Sequence, residues 1–201
     1  IENKLGLKYL AGASEDHTGR PYDGILDLYD GDTAFTFGKD ELAHLLSRAG
    51  FPFRDFLYPF PDYKFPSVTL TEAAFAAPDL TLTDLLQEKF DHARGPNHTP
   101  GLSLPRLAAS VLANGLMADL ANSFLIVAGA VAGHGMAVID HSAGNILAWS
   151  FNSARQKCYC KSFVFTRTAA GRLRVHRELL HPETPCLNDP PIHQHIMDEE
   201  Y

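Results

Sequence analysis

The chain has 201 residues, room for one domain or for one domain with an appendage, and 45% of them are hydrophobic, which argues against wholesale disorder. A formal net charge of −7 argues against a general nucleic-acid binder, which needs a dominant positive field. Cys158, Cys160 and Cys186 are too few for a disulfide scaffold, and with no secretory signal the expected compartment is the reducing cytoplasm.

Residues 1–3 have the character of a strand end, and residues 4–35 form a long connection rich in Gly and Asp. Connections of that length are usually functional loops or linkers. Leu42, Leu45, Leu46 and Ala49 recur at helical spacing before Gly50, which predicts a helix over 39–49. Residues 53–60 and 64–70 read as two strands around the prolyl turn Pro59-Phe60-Pro61-Asp62. Thr83 is placed to cap a helix over 84–90, and 91–105 is a polar loop broken by Pro and Gly. Pro105 suits the first turn of a helix over 105–119, since its missing N–H costs nothing there. The continuous apolar run 122–129 predicts a strand buried on both faces. Asn114, Asp119, Asn122 and several glycines interrupt Leu107 to Ile139, so no membrane span is expected.

Beyond residue 130 the texture changes to alternating strands. Residues 135–151 and 158–179 read as hairpins, the second turning at Ala169-Ala170-Gly171, and the acidic, Pro-rich end over 182–201 reads as loop. Seven basic residues fall between Arg155 and Arg177 with no acid among them, a pattern expected of a solvated hairpin face. The predicted organisation is therefore mixed α/β over 1–130 and a β-rich appendage or start of a second module over 131–201.

Four segments occur in a telling order: "IENKLGLKYLAGASEDHTG", "TFGKDELAHLLSRAGF", "YPFPDYKFPSV" and "NSFLIVAG". Together they resemble the C-terminal half of class I S-adenosylmethionine-dependent methyltransferases, of the type found in bacterial cell-envelope polysaccharide biosynthesis proteins. The resemblance covers residues 1 to about 130. It implies the C-terminal half of a Rossmann-like sheet, with "IEN" ending a parallel strand and an antiparallel pair closing the sheet. It also implies methyl transfer from S-adenosylmethionine to a small polar or glycan acceptor, a sugar or sugar phosphate among the candidates. The family's donor-binding glycine loop is not matched, because "GHGMA" (133–137) follows the last strand with no predicted helix after it. Donor binding is accordingly expected of a longer parent protein, and the chain's start at Ile1 is read as a cut edge.

The loop after the "IEN" segment borders the acceptor pocket in that family. His17 is the candidate catalytic base, with Glu15 and Asp16 beside it. Asp16, with Glu2 and Asn3 at the strand end, would contact the substrate. In "YPFPDYK", Tyr58, Phe60 and Tyr63 would stack on the acceptor while Asp62 and Lys64 fix its polar groups. No metal site is assigned: consecutive residues such as Glu15-Asp16-His17 rarely present a joint ligand face, and Cys158-x-Cys160 with Cys186, His193 and His195 lacks the usual zinc spacing. The rival expectation is a non-catalytic binding module that self-associates through an incomplete sheet edge.

Overall fold

The computed structural model describes residues 1–32, 34–86, 102–132, 145–184 and 197–201. Among the described residues, seven strands form one sheet: β1 (Phe53–Phe60), β2 (Val68–Thr71), β3 (Leu125–Gly129), β4 (Ile146–Asn152), β5 (Lys161–Arg167), β6 (Leu173–Leu179) and β7 (Met197–Glu200). Their order across the sheet is β3-β1-β2-β4-β5-β6-β7. Among the described residues, six short α-helices accompany them: α1 (Leu7–Leu10), α2 (Lys39–Arg48), α3 (Glu72–Phe75), α4 (Leu82–Leu86), α5 (Leu104–Ala113) and α6 (Met117–Leu120).

Every pairing in this sheet is antiparallel. The architecture is therefore mixed α/β as expected, but the expected parallel strand is not formed. Residues 1–3 make single bridges instead, antiparallel from Glu2 to Ser123 and parallel from Asn3 to Phe37. Short links such as 61–67 and 168–172 can only return a strand antiparallel, whereas parallel neighbours need a long crossover. The sequence boundary near residue 130 does not interrupt the sheet, since β2 pairs with β4 across it from Val68↔Ser150 to Leu70↔Ala148.

Pairing aligns one apolar row across five strands: Tyr58, Leu70, Ala148, Phe165 and Val175 stand opposite one another in turn. Directly opposed residues share a face. This face belongs to a core completed by Ala74 of α3, Val111 of α5 and Met117 of α6. Phe124, 1% exposed, meets the rings of Phe56 and Tyr58 edge-on at 5.4 and 6.0 Å.

Several elements depart from expectation for identifiable reasons. The helix expected over 105–119 breaks at Asn114-Gly115, where Gly115 adopts φ +71°. Its continuation is the separate α6. β3 lies at the sheet edge rather than buried on both faces, and Leu125 is 53% exposed. The strand expected from residue 64 begins only at Val68, after the bends that follow Pro61. α4 begins before Thr83, so that residue is inside the helix rather than its cap; the remainder of the predicted helix lies outside the described residues. The acidic tail supplies β7, which the composition conceals. Glu200 stands opposite Arg174, and His176 Nδ1 lies 2.9 Å from Asp198, so the basic hairpin meets an acidic strand. Among the described residues, no helix is long and apolar enough to cross a membrane.

Candidate functional site

Two buried asparagines bring the relevant segments together. Asn3 Nδ2 donates to the carbonyls of Asp119 and Ala121 at 2.8 and 2.7 Å, while its Oδ1 accepts the Leu5 N–H. Asn122 Oδ1 accepts the Lys8 N–H at 2.9 Å, and its Nδ2 donates to the Pro61 carbonyl. The chain start is further tied by reciprocal bonds between the Ile1 and Phe124 backbones. Asn3 is thus a suture joining residues 1–5 to 119–122, and its side-chain amide is consumed by backbone partners. Successive extended residues point to opposite sides. Glu2 consequently projects away from Asn3, onto the side of its bridge partner Ser123.

A polar cluster surrounds Glu2. Its carboxylate, with a side chain 5% exposed, accepts from Lys8 Nζ at 2.7 Å and lies 3.9 Å from Lys64 Nζ. Lys64 also pairs with Asp16, so the prolyl turn and the 4–24 loop meet through this one side chain. Burial opposes ionisation of Asp16, but the hydrogen bonds with Lys64 and Glu2 and the charge of Lys8 prevail and hold its carboxyl below the usual range. The Tyr9 hydroxyl is buried, and among the described residues it has no partner in hydrogen-bond geometry. Burial first, and then the Glu2 carboxylate, holds this phenol far above its usual range.

Glu15 organises the loop from within. It is 1% exposed, and its Oε2 accepts the N–H groups of His17 and Thr18 at 2.7 and 2.8 Å. Backbone bonds from Glu15 N–H to the Arg20 carbonyl and from Gly19 N–H to the Glu15 carbonyl close the turn. Gly24 lies against Glu15 and Tyr29, and a Cβ there would sit only 2.7 Å from Tyr29 Oη. One carboxylate oxygen each of Glu2 and Glu15 and a ring nitrogen of His17 lie within 4.8 Å of one another. The His17 side chain is on the exposed side of this group.

Of the residues expected at the site, the structure gathers Glu2, Asp16 and His17. The others lie elsewhere or do other work. Tyr58 is fully buried in the core, packed edge-on against Phe75, with its hydroxyl donating to Glu72. Burial and then Glu72 push its phenol well above the usual range. Asp62 Oδ1 accepts the Lys64 N–H at 2.8 Å and shapes the turn. Tyr63 is 44% exposed, with Lys64 Nζ 5.9 Å from its ring centre. Cys158 and Cys160 are free and buried, and Cys160 Sγ faces the carbonyls of Arg155 and Gln156. Cys186, His193 and His195 lie outside the described residues.

Sequence reasoning missed Lys8 and Tyr9, which sit on or beside the four-residue helix α1, too short to show a period. It also gave no sign that Glu15 turns inward. A separate apolar cavity of about 290 Å³, lined by Thr83, Leu86, Arg106, Ala108 and Met117 among others, shares no residue with this cluster. Chemically, the cluster is a concentration of proton acceptors and cation ligands beside an exposed imidazole, flanked by two lysines able to orient anionic or hydroxylated groups. No protein-family model, curated protein or solved structure matches this chain.

Proposed function

We propose that this chain carries the acceptor side of an S-adenosylmethionine-dependent methyltransferase whose acceptor is a small hydroxylated molecule of the sugar or sugar phosphate class. The observation that supports the reading is the convergence of Glu2, Glu15 and His17 within 4.8 Å. Two of these belong to the loop that the family resemblance assigns to the acceptor. The antiparallel neighbourhood of β1 and β3, with residues 1–3 laid against 122–124, also agrees with the closing edge of that family's sheet. The wider Rossmann-like arrangement and the donor loop belong, on this reading, to the parent protein.

In the proposed reaction an acceptor oxygen attacks the donor methyl carbon in line as the carbon–sulfur bond breaks, leaving S-adenosylhomocysteine. The hydroxyl proton passes to His17, the exposed base of the cluster. Lys64, its side chain 44% exposed, would meet polar groups of the acceptor. Positioning supplies most of the rate and the base a smaller part.

The test is transfer of labelled methyl from S-adenosylmethionine to a panel of sugars and sugar phosphates by the parent protein. His17→Ala is expected to lower kcat roughly 100-fold or more with a small change in KM. Equal rates in the variant would remove His17 from the chemistry, and absence of labelled product across the panel would contradict the reading.

A further inference from the structure

We propose that Glu2, Glu15 and His17 form a binding site for one divalent first-row cation, a use of the His17 lone pair that competes with the base role proposed above and is tested apart from it. Three ligand atoms from two separate segments already lie within 4.8 Å of one another. A metal holding ligands at roughly 2.0–2.2 Å keeps them about 3–4 Å apart, so only a small contraction is needed. The exposed His17 ring can supply it by turning about its side-chain bonds.

The second observation is Glu15 itself. Its Oε1 is buried and meets no hydrogen-bond partner among the described residues. Both acceptor positions of Oε2 are taken by the His17 and Thr18 N–H groups, which leaves Oε1 as the oxygen able to ligate. An unpaired carboxylate oxygen at 1% exposure is costly, and such groups call for a specific partner. Among the described residues no lysine or arginine supplies one: Lys8 pairs with Glu2, and Lys64 with Asp16 and more distantly with Glu2. Three carboxylates therefore face two ammonium groups, and one negative charge remains for a bound cation to offset. The loop is also held in shape beforehand, since Glu15 is fixed by backbone bonds at both its N–H and its carbonyl.

Two carboxylate oxygens, one imidazole and no thiolate suit Mn²⁺, Fe²⁺ or Zn²⁺, with open positions for water or for oxygens of a ligand. This set differs from the consecutive trio in the sequence: Glu2 enters from the chain start, while Asp16 turns to Lys64. Mn²⁺ is the probe of choice because buried thiols such as Cys158 and Cys160 compete weakly for it.

Titration of the full chain with Mn²⁺ at neutral pH, read by the electron paramagnetic resonance signal of free Mn²⁺, is expected to show one site per chain. His17→Ala and Glu15→Gln should each weaken it about tenfold or more. The exposed His17 leaves the fold intact on substitution, so the test stands even where Glu15→Gln proves unstable by circular dichroism. No uptake of Mn²⁺ at millimolar concentration would overturn the proposal, as would undiminished uptake by His17→Ala.

Discussion

Glu41 ties the start of α2 to the chain start, and through Lys4 to Asp27. It stands at the third position of α2 and accepts the Gly38 N–H at 2.7 Å, satisfying one of the donors that a helix start leaves open. Its other oxygen accepts from Lys4 Nζ at 2.8 Å, and Lys4 also reaches Asp27. The hydrogen bond from Lys4 and then that from Gly38 hold the Glu41 carboxyl below its usual range. The folded state thus gives up this proton at lower pH than the unfolded chain does. The stability it lends is complete above the ordinary glutamate range and is lost as pH falls through the lowered folded value. Urea unfolding at a series of pH values is expected to show a shallower acid limb below about pH 4.5 in Glu41→Gln. An unchanged slope would mean that the Lys4 and Gly38 contacts do not persist in solution.

Among elements, β1 and α2 were the most legible. The segment 53–60 is rich in aromatic residues and lies between turn-forming flanks, and α2 carries its apolar spacing up to Gly50, so local pattern and final structure agree. β7 was illegible for the opposite reason. Met197–Glu200 has no apolar alternation to read, and it forms by backbone pairing to β6 with charges opposed across the ladder. Reversing Asp198 and Glu200 to Lys should therefore release the β7 amides to hydrogen exchange while those of β1 and β2 stay protected. Retained protection in β7 would show that its pairing does not depend on these charges. The polar cluster was half legible. His17 and Asp16 stood out in the loop, but their convergence with Glu2 and with Lys64, 48 residues beyond Asp16, is a product of tertiary contacts. Tyr58 shows the converse, since an aromatic in a prolyl turn motif can serve a pocket or a core with the same local sequence, and here the core takes it.

At the scale of the whole molecule, one antiparallel sheet runs from β3 to β7, and the polar cluster sits where the chain start lies beside residues 122–124. That placement gives the proposed acceptor site rigid support from two buried asparagines and a closed turn, while His17 stays open to solvent. If this site serves a methyltransferase, as proposed, a product of that reaction must bind a parent protein that carries the donor loop. Binding to the native state raises apparent stability, by roughly 2.7 kcal/mol at a hundredfold excess over Kd. Thermal unfolding with S-adenosylhomocysteine is the direct measurement. Methyltransferase function predicts a rise of several degrees in the parent protein and none in residues 1–201 alone. No rise in either would contradict it.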